Sequence, residues 1–366
     1  MQDCIVVGGG LIGMLSARML AGSGRRVVLL ERGEPGQEAS WAGGGILSPL
    51  YPWRYPQPVN ALAAWSQQRY PDLCAELHEE TGIDPEWTQS GLLMVAPEDA
   101  AEGLAWARAQ GVRMEQVAPG EARAIEPALG ADAPGGLWMP EIAQLRNPRM
   151  LKALRHSLEL RGVELRAGYP VEEVLHGQGR VQGVRGPWGE LRAEQVLVCG
   201  GAWSARLVPL AQGEALPVTP VRGQMILYRA RPGLLQRILL HEGRYLIPRR
   251  DGHIVVGSTM ERVGYDKSVT DDARAALQQA AESLVPALAG QPVVRHWAGL
   301  RPGSPQGVPF IGPHPEIDGL FVNSGHFRNG VVMGPASCAL VASLMNGVEP
   351  PLNEKPYQLR AGLQKG

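Results

Sequence analysis

The hydrophobic pattern of the first thirty residues predicts a strand, a helix and a second strand. Residues 4–7 (CIVV) form a short continuous apolar run, which is typical of a strand buried on both faces. A glycine-rich turn follows, and residues 11–20 then show apolar positions at helical spacing. Residues 27–30 (VVLL) repeat the strand pattern, and an acidic residue ends it. The pattern indicates a βαβ unit at the start of a parallel sheet.

The turn between the first strand and the helix reads G-x-G-x-x-G, and Glu31 follows its second glycine by 21 positions. In this motif Gly8 permits a tight turn, Gly10 lets the backbone approach a pyrophosphate, and Gly13 allows close helix–strand packing. The helix N-terminus offers N–H groups to phosphates, and Glu31 offers acceptors to ribose hydroxyls. The motif predicts a dinucleotide site without separating NAD from FAD. The alternative is a plain turn and a solvated Glu31.

A long glycine-rich loop follows the second strand. Residues 38–46 (EASWAGGGI) stand where a simple nicotinamide-binding domain would have its third strand. Three consecutive glycines allow the backbone to lie against a flat ring, or allow the loop to move. We therefore predict that this loop contacts a cofactor, with an unusually long bare turn as the alternative.

The middle of the chain mixes helical and strand-like patterns. Apolar spacing and breakers predict helices over 60–81, 100–110, 150–162, 271–284 and 331–344. Short apolar runs predict strands over 87–95, 163–165, 171–174, 195–198, 218–228, 245–248, 254–260 and 319–325. The β-rich block from 218 to 260 is unlike the βαβ start, so it indicates a second domain inserted into the first.

Two strand ends carry candidate site residues. Residues 195–204 (QVLVCGGAWS) run from a strand into a small-residue turn and a helix start, which is either a ligand crevice or a plain connection. Residues 325–330 (GHFRNG) precede the last predicted helix, whose N-terminus would stabilise negative charge. His326 and Arg328 are crowded into this hexapeptide and are candidate site residues. The alternatives are a core histidine and an exposed loop charge.

Composition excludes several classes of protein. The chain has 366 residues, 44% of them hydrophobic, and a net charge of −1 with scattered arginines, which does not favour nucleic-acid binding. Four widely spaced cysteines give neither metal-binding nor disulfide spacing, and three of them, Cys4, Cys199 and Cys338, lie in apolar runs. No apolar run is long enough to cross a membrane. We expect a soluble, cytoplasmic protein without a metal.

Arg301 raises a question of its own. It lies in residues 297–312 (WAGLRPGSPQGVPFIG), between apolar and glycine residues, with no acidic residue nearby in the sequence. A guanidinium is always charged and is rarely buried without a partner. Either a carboxylate distant in the sequence neutralises Arg301 in the fold, or a ligand does.

Four motifs together carry a family resemblance: GGGLIG with Glu31, VCGGAWS, WAGLRPGSPQGVPFIG and GHFRNG. The chain resembles the flavin-dependent amine oxidases of the D-amino-acid oxidase superfamily, and within it the glycine oxidases of thiamine thiazole synthesis. The resemblance implies an α/β fold in which a Rossmann-like FAD-binding domain of the glutathione-reductase type is interleaved with an antiparallel-β substrate domain. We expect the FAD-binding domain in 1–86, 144–213 and 297–366, and the substrate-binding domain in 87–143 and 214–296.

The resemblance also implies the site residues. Arg301 and Tyr245 would bind the substrate carboxylate, Met260 would line the pocket, and Arg328 would lie beside substrate and flavin. The residues that would contact FAD are Gly8, Gly10, Leu11, Ile12, Gly13, Glu31, Arg32, Ala39, Ser40, Gly44, Gly45, Ile46, Val171, Gly200, Gly299, His326, Phe327, Arg328, Asn329, Gly330, Val331 and Val332. The resemblance implies no catalytic side chain, because the flavin does the chemistry.

One departure from the family and one absence qualify this assignment. Trp41 and an extra glycine intrude where the family loop has small and hydroxyl residues, so the contacts of 39–46 are open. Some relatives attach flavin to a cysteine near the arginine motif. No cysteine lies between Cys199 and Cys338, so FAD should be non-covalent.

The implied reaction is oxidation of glycine, sarcosine or small D-amino acids to the imine and 2-oxo acid, with ammonia and H₂O₂ as products and O₂ as the electron acceptor. It would supply thiamine thiazole biosynthesis, and relatives form homotetramers. The alternatives are a D-amino acid dehydrogenase that passes electrons to a quinone, a non-enzymatic FAD-binding protein, and an NAD-linked dehydrogenase.

Overall fold

A computed structural model describes residues 2–208, 210 and 214–359. The helices in these residues are α1 (Leu11–Gly22), α2 (Ala39–Ala42), α3 (Gln57–Gln67), α4 (Tyr70–Thr81), α5 (Ala100–Gln110), α6 (Pro119–Ile125), α7 (Asn147–Leu160), α8 (Asp271–Leu284) and α9 (Gly330–Asn346). The strands are β1 (Gln2–Val7), β2 (Val27–Glu31), β3 (Leu92–Val95), β4 (Glu115–Val117), β5 (Gly136–Met139), β6 (Glu164–Ala167), β7 (Glu173–Gly177), β8 (Arg180–Gly186), β9 (Gly189–Val198), β10 (Thr219–Arg229), β11 (Ile238–His241), β12 (Arg244–Pro248), β13 (His253–Gly257), β14 (Val293–Gly303), β15 (Phe310–Pro313) and β16 (Leu320–Ser324).

The first sheet has the order β15-β16-β9-β1-β2-β6, with β7 and β8 attached beside β9. Strands β16, β9, β1, β2 and β6 pair in parallel, and β15 is antiparallel. Alternate residues of β1 face opposite sides: Val6 packs with α1, α7 and α9, whereas Ile5 packs with the β7–β8 side. Both faces are covered, which is why these strands read as continuous apolar runs.

The second sheet has the order β14-β10-β13-β12-β11-β3-β5-β4. Its neighbours pair antiparallel, except that β11 and β3 are parallel. Helix α8 packs on one face, where Leu277 meets Ile226 and Val256 of the sheet. The Thr270 side chain caps α8 by accepting a hydrogen bond from the Ala273 N–H, at 3.4 Å. The opposite face packs partly against α5 and residues 46–53, and the rest of it borders a cavity.

The structure confirms the predicted α/β class with two sheets, the βαβ start, and helices α5 and α8 at their predicted bounds. The single helix predicted over 60–81 is wrong, because α3 ends at Gln67 and α4 begins again at Tyr70, with Pro71 in its first turn. Proline lacks an N–H and is best tolerated in the first turn of a helix, where that N–H would have no partner within the helix.

Three further predicted elements are shorter than expected. The strand predicted over 87–95 is formed only by β3, the strand predicted to reach 260 ends at Gly257, and residues 201–206 form a 3₁₀ turn rather than an α-helix. Strands β3 and β13 are confined to the residues that pair with a neighbouring strand, and residues 201–206 form one short 3₁₀ segment.

The division into two domains stays a prediction, and strand β14 crosses its boundary at 297 by pairing with β10 from Val293 to Gly303. The predicted termini at 1, 213 and 360–366 lie outside the described residues. All four described cysteines are buried, which agrees with the apolar runs around Cys4, Cys199 and Cys338. Among the helices described, none combines the length and apolar character needed to cross a membrane.

Candidate active site

A cavity of about 500 Å³ lies between the two sheets, at the carboxyl ends of β1, β2, β9 and β16. Ligands of open α/β sheets bind at this edge. The predicted residues that line it are Gly8, Gly10, Leu11, Ile12, Glu31, Arg32, Ala39, Ser40, Gly44, Gly45, Ile46, Val171, Gly200, Tyr245, Gly299, Arg301, His326, Phe327, Arg328, Asn329, Gly330 and Val331. Residues from seven separate stretches of sequence therefore meet in one place.

The glycines of the first turn are required by close backbone packing. A Cβ on Gly8 would collide with the Cys199 carbonyl, and Gly8 has a φ of +109°, a region that favours glycine. A Cβ on Gly13 would collide with the Gly8 carbonyl. Gly13 itself does not line the cavity, so it acts by letting α1 approach the turn.

Glu31 is held at the end of β2 by backbone donors. Its Oε2 accepts a hydrogen bond from the Gly9 N–H at 2.7 Å, and its Oε1 accepts one from the Gly33 N–H at 3.0 Å. Each carboxylate oxygen has a second lone-pair site. The side chain is 8% exposed and borders the cavity, so it can accept further hydrogen bonds there.

Two helix N-termini face this cavity. Gly10, Leu11 and Ile12 begin α1, and Asn329 and Gly330 begin α9. Neither helix has an acidic residue in its first turn. Two partial positive charges therefore point into one space, which suits a pyrophosphate at one end and an electron-rich ring at the other.

Two buried polar side chains at the start of α9 lack partners within the described residues. They are His326 Nε2 and Asn329 Nδ2, and both residues line the cavity. Burial lowers the pKa of His326 to about 3, so its imidazole is neutral. A buried donor or acceptor without a hydrogen bond is costly, so these groups fit a polar heterocyclic ligand.

Arg301 is held by neutral acceptors. Its Nη1 donates to the Thr259 carbonyl at 3.1 Å, and its Nη2 donates to Ser258 Oγ at 2.6 Å. Across the described residues, no Asp or Glu forms an ion pair with it. Burial lowers the pKa of Arg301, and the charge of Arg328 lowers it further, whereas Tyr245 raises it. Of the two alternatives, a ligand rather than a protein carboxylate is left to neutralise this guanidinium.

One face of the second sheet carries the groups around Arg301. Val221 pairs with Arg301, and Gly257 pairs with both Met225 and Tyr245, so the alternating residues 221, 223 and 225 share a face with the tyrosine. Tyr245 is 7% exposed, and its hydroxyl donates to Met225 Sδ at 3.8 Å. These side chains form the wall opposite the first sheet.

Gly223 provides the space for the guanidinium. A Cβ on this residue would collide with Nη1, Nη2 and Cζ of Arg301. No positive φ requires glycine at this position. The missing side chain is therefore explained by the arginine alone.

The structure does not place Met260 in the predicted pocket. Its side chain is 60% exposed and is not part of the cavity lining, because β13 ends at Gly257 and the chain turns away after it. Val332 is buried inside α9 behind the lining. Arg328 borders the cavity without an ion pair to any described carboxylate.

The unusual loop at 38–46 packs its large residue away from the cavity. Trp41 meets Trp297 edge-on, with ring centroids 5.7 Å apart, and Trp297 Nε1 donates to the Ala42 carbonyl at 3.1 Å. Gly44 and Gly45 remain in the lining. Trp41 thus ties the loop to β14 without filling the site.

Several lining residues were not predicted as site residues, among them Trp203, Arg206, Tyr169, Gly223 and Met225. Trp203 follows the small-residue turn after β9, and its place beside that predicted ligand crevice could have identified it as a site residue. The other residues lie on strands and turns, and tertiary packing decides whether their side chains point into the cavity.

Comparison with known proteins identifies the family to which this chain belongs. The DAO family of FAD dependent oxidoreductases matches residues 3–344, and the chain belongs to it. FAD is therefore the cofactor of this protein, and the glycine turn, two helix N-termini and unpartnered polar groups described above fit it.

The chain is also similar to individual proteins. The chain is 51% identical over 358 residues to the glycine oxidase of Pseudomonas aeruginosa, which covers 97% of this chain and 98% of that protein. The crystal structure of glycine oxidase from Geobacillus kaustophilus superimposes with a TM-score of 0.91 at 31% identity, covering 98% of each chain. The bifunctional protein ThiO/ThiG of Trichormus variabilis is 34% identical over 94% of this chain and 52% of its own length.

Proposed function

We propose that this chain is an FAD-dependent amine oxidase that oxidises glycine and small amines such as sarcosine and small D-amino acids. The products are the imine and 2-oxo acid, ammonia and H₂O₂. The observation that carries the substrate class is Arg301, a guanidinium that lines the cavity and has no carboxylate partner among the described residues. A planar fork of donors suits a carboxylate in two-point contact.

The chain's own residues bind and orient the substrate. Arg301 donates hydrogen bonds to the carboxylate, Tyr245 adds a hydroxyl hydrogen bond from β12 of the same sheet, and Arg328 adds positive charge at the same cavity. With its carboxylate held at two points, the substrate presents its α-carbon in one orientation, which is worth several kcal/mol in an enzyme. We assign no proton-transfer role to any described side chain at this wall.

The cofactor would be held by the first turn and Glu31 on one side and by the start of α9 on the other. When bound, FAD supplies the two-electron oxidation and passes the electrons to O₂. We infer that attachment is non-covalent, because no cysteine lies near the arginine motif, between Cys199 and Cys338.

The cellular role rests on resemblance. Alignment with about half of ThiO/ThiG supports a role in supplying an oxidised glycine to thiamine thiazole synthesis. We extend the proposal to a cytoplasmic homo-oligomer, for which the tetramers of relatives are the precedent. Size-exclusion chromatography with light scattering tests the oligomer.

An anaerobic titration with glycine, sarcosine and D-proline, followed by flavin absorbance, tests the activity. We expect a yellow protein whose flavin is bleached by at least one of them and recovers its colour with air. A yellow protein that none of them bleaches would be a non-enzymatic FAD-binding protein. A colourless protein that takes up no added FAD would contradict the cofactor itself.

Oxygen uptake separates the oxidase from the dehydrogenase. The oxidase consumes O₂ and forms H₂O₂ at the rate of glycine turnover. A D-amino acid dehydrogenase would reduce a quinone analogue rapidly and leave O₂ nearly untouched.

A further inference from the structure

An outlying segment, residues 262–270, leaves the second sheet after β13 and lies against the wall of the cavity. The ring of Tyr265 is 5.6 Å from the ring of Trp203, and its hydroxyl donates to the Ala202 carbonyl at 3.2 Å. The Arg206 guanidinium lies 4.0 Å from the Tyr265 ring. Ala202, Trp203 and Arg206 all line the cavity, whereas Tyr265 does not. Tyr265 therefore supports the wall from outside.

An ion-pair chain reaches the same wall from a second point of the segment. Lys267 Nζ lies 3.1 Å from Glu38 Oε1, and Glu38 in turn pairs with Arg32 at 2.6 Å. The Arg32 guanidinium lies 3.4 Å from the centre of the Trp203 ring. Arg32 and Glu38 line the cavity as well, so both contacts of the segment converge on the Arg32–Trp203 stack.

The base of the segment is fixed inside the second sheet. Arg222 is 5% exposed and donates to Asp266 Oδ2 at 2.6 Å and to the Ser268 carbonyl at 3.0 Å. A buried cation with several charge-assisted bonds holds its partners in one geometry. Lys267 lies between these two anchors and Tyr265 directly precedes them. Both side chains are consequently directed to the side of the cavity that the first sheet forms.

The supported wall belongs to the nucleoside side of the site. Arg32 directly follows Glu31, the acidic residue at the end of β2, which is where a dinucleotide's ribose is held in this type of fold. Beyond a ribose comes the base, and a purine ring is bound well by aromatic and guanidinium planes.

We propose that Tyr265 and Lys267 are positioning residues for FAD, which act through Trp203, Arg206 and Glu38 and slow the departure of its nucleoside end. The proposal rests on the proposed function in one respect, that this cavity binds FAD. On this proposal, residues 262–270 help to retain the cofactor, although they follow a strand of the second sheet and lie outside the dinucleotide motif.

The test compares FAD dissociation constants of purified holoproteins, measured by the recovery of free flavin fluorescence on dilution. Tyr265→Ala should raise the dissociation constant about tenfold, since one aromatic pair and one cation–π contact are lost. Lys267→Ala should raise it about twofold, because the ion pair is half exposed. Tyr265→Phe keeps the ring and should stay within about twofold of the parent protein.

Val263→Ala is the matched control, because Val263 lies in the same segment and its side chain is 39% exposed. It should leave the dissociation constant unchanged. Tyr265→Ala should lower the melting temperature of the FAD-bound protein more than that of the FAD-free protein, since a merely structural role would lower the two melting temperatures equally.

A double-mutant cycle with Trp203→Ala tests the route of the effect. If Tyr265 acts through Trp203, Tyr265→Ala should add less than about twofold once Trp203 is absent. Full additivity, or an unchanged dissociation constant in Tyr265→Ala and Lys267→Ala, overturns the proposal while the FAD enzyme stands. A parent protein that binds no FAD overturns the proposed function instead.

Discussion

Arg301 and Arg222 lie on the neighbouring strands β14 and β10, yet they have opposite surroundings. The register pairs Val221 with Arg301 and Arg222 with Leu300, so the two guanidinium groups leave opposite faces of one sheet. Arg222 faces α8 and is neutralised by Glu261 and Asp266. Arg301 faces the cavity, where it donates to the Ser258 hydroxyl and the Thr259 carbonyl and lies beside Tyr245.

On the proposed function, one residue type serves structure on one face of the sheet and substrate binding on the other. Glu261 stands between them: it pairs with Arg222, and it accepts a hydrogen bond from Thr259, whose carbonyl in turn accepts from Arg301. The carboxylate reaches Arg301 only through a neutral group. A structural arginine is thus satisfied within the chain, whereas a binding arginine is oriented within the chain and left to be neutralised from outside.

Arg301→Ala should have the largest effect. We expect kcat/KM for glycine to fall by about a thousandfold, because two charge-assisted hydrogen bonds of roughly 2 kcal/mol each are lost. FAD absorbance and thermal stability should be retained. Steady-state kinetics and the flavin spectrum check this, and a variant with parent-like substrate affinity would show that Arg301 is structural like Arg222.

Gly223→Ala should come next. The added methyl collides with the guanidinium, so Arg301 must shift, and kcat/KM should fall by about 10- to 100-fold, or roughly 1.4–2.8 kcal/mol. Titration of the holoenzyme with a small carboxylate, followed by flavin absorbance, should show weakened binding.

Gly120→Ala is the matched control for this substitution, because a Cβ on Gly120 meets nothing within 4 Å. It should behave like the parent protein. Equal kinetics in the two variants would mean that Arg301 tolerates displacement and does not need its position.

Arg222→Met should affect stability more than turnover. Removing the guanidinium leaves Glu261 and Asp266 without their partner, and we expect the free energy of unfolding to fall by about 2 kcal/mol, because the carboxylates are partly exposed. Denaturant unfolding measures this. A thousandfold loss of kcat/KM at unchanged stability would abolish the contrast between the two arginines.

Tyr245→Phe should have the smallest effect. It keeps the ring that packs beside Gly44 and removes one hydroxyl, so kcat/KM should fall by about fivefold, or roughly 1 kcal/mol. Kinetics with glycine check it. A loss as large as that of Arg301→Ala would mean that the Tyr245 hydroxyl contributes as much to substrate binding as Arg301. It would contradict our expectation that this hydroxyl contributes one hydrogen bond.

Local patterns predicted the parts of the fold that local physics decides. The glycine turn, β1, α1 and β2 follow from an apolar run, a G-x-G-x-x-G motif and one acidic residue, and the structure has them together at the cavity. The break between α3 and α4 was missed because the apolar spacing continues through it, although Pro71 marks the new start. Met260 was misplaced because strand β13 ends where its pairing ends, at Gly257.

The sequence by itself determined the dinucleotide turn, the two kinds of sheet and the presence of an arginine with no acidic neighbour, because these depend on residue type and short-range spacing. Tertiary structure alone decided that Gly223 makes room for that arginine, that Arg222 takes the nearby carboxylates, and that Tyr265 reaches the wall beside Arg32. The physical reason is strand register: a shift of one residue exchanges the two faces of a strand, and long-range pairing sets that register.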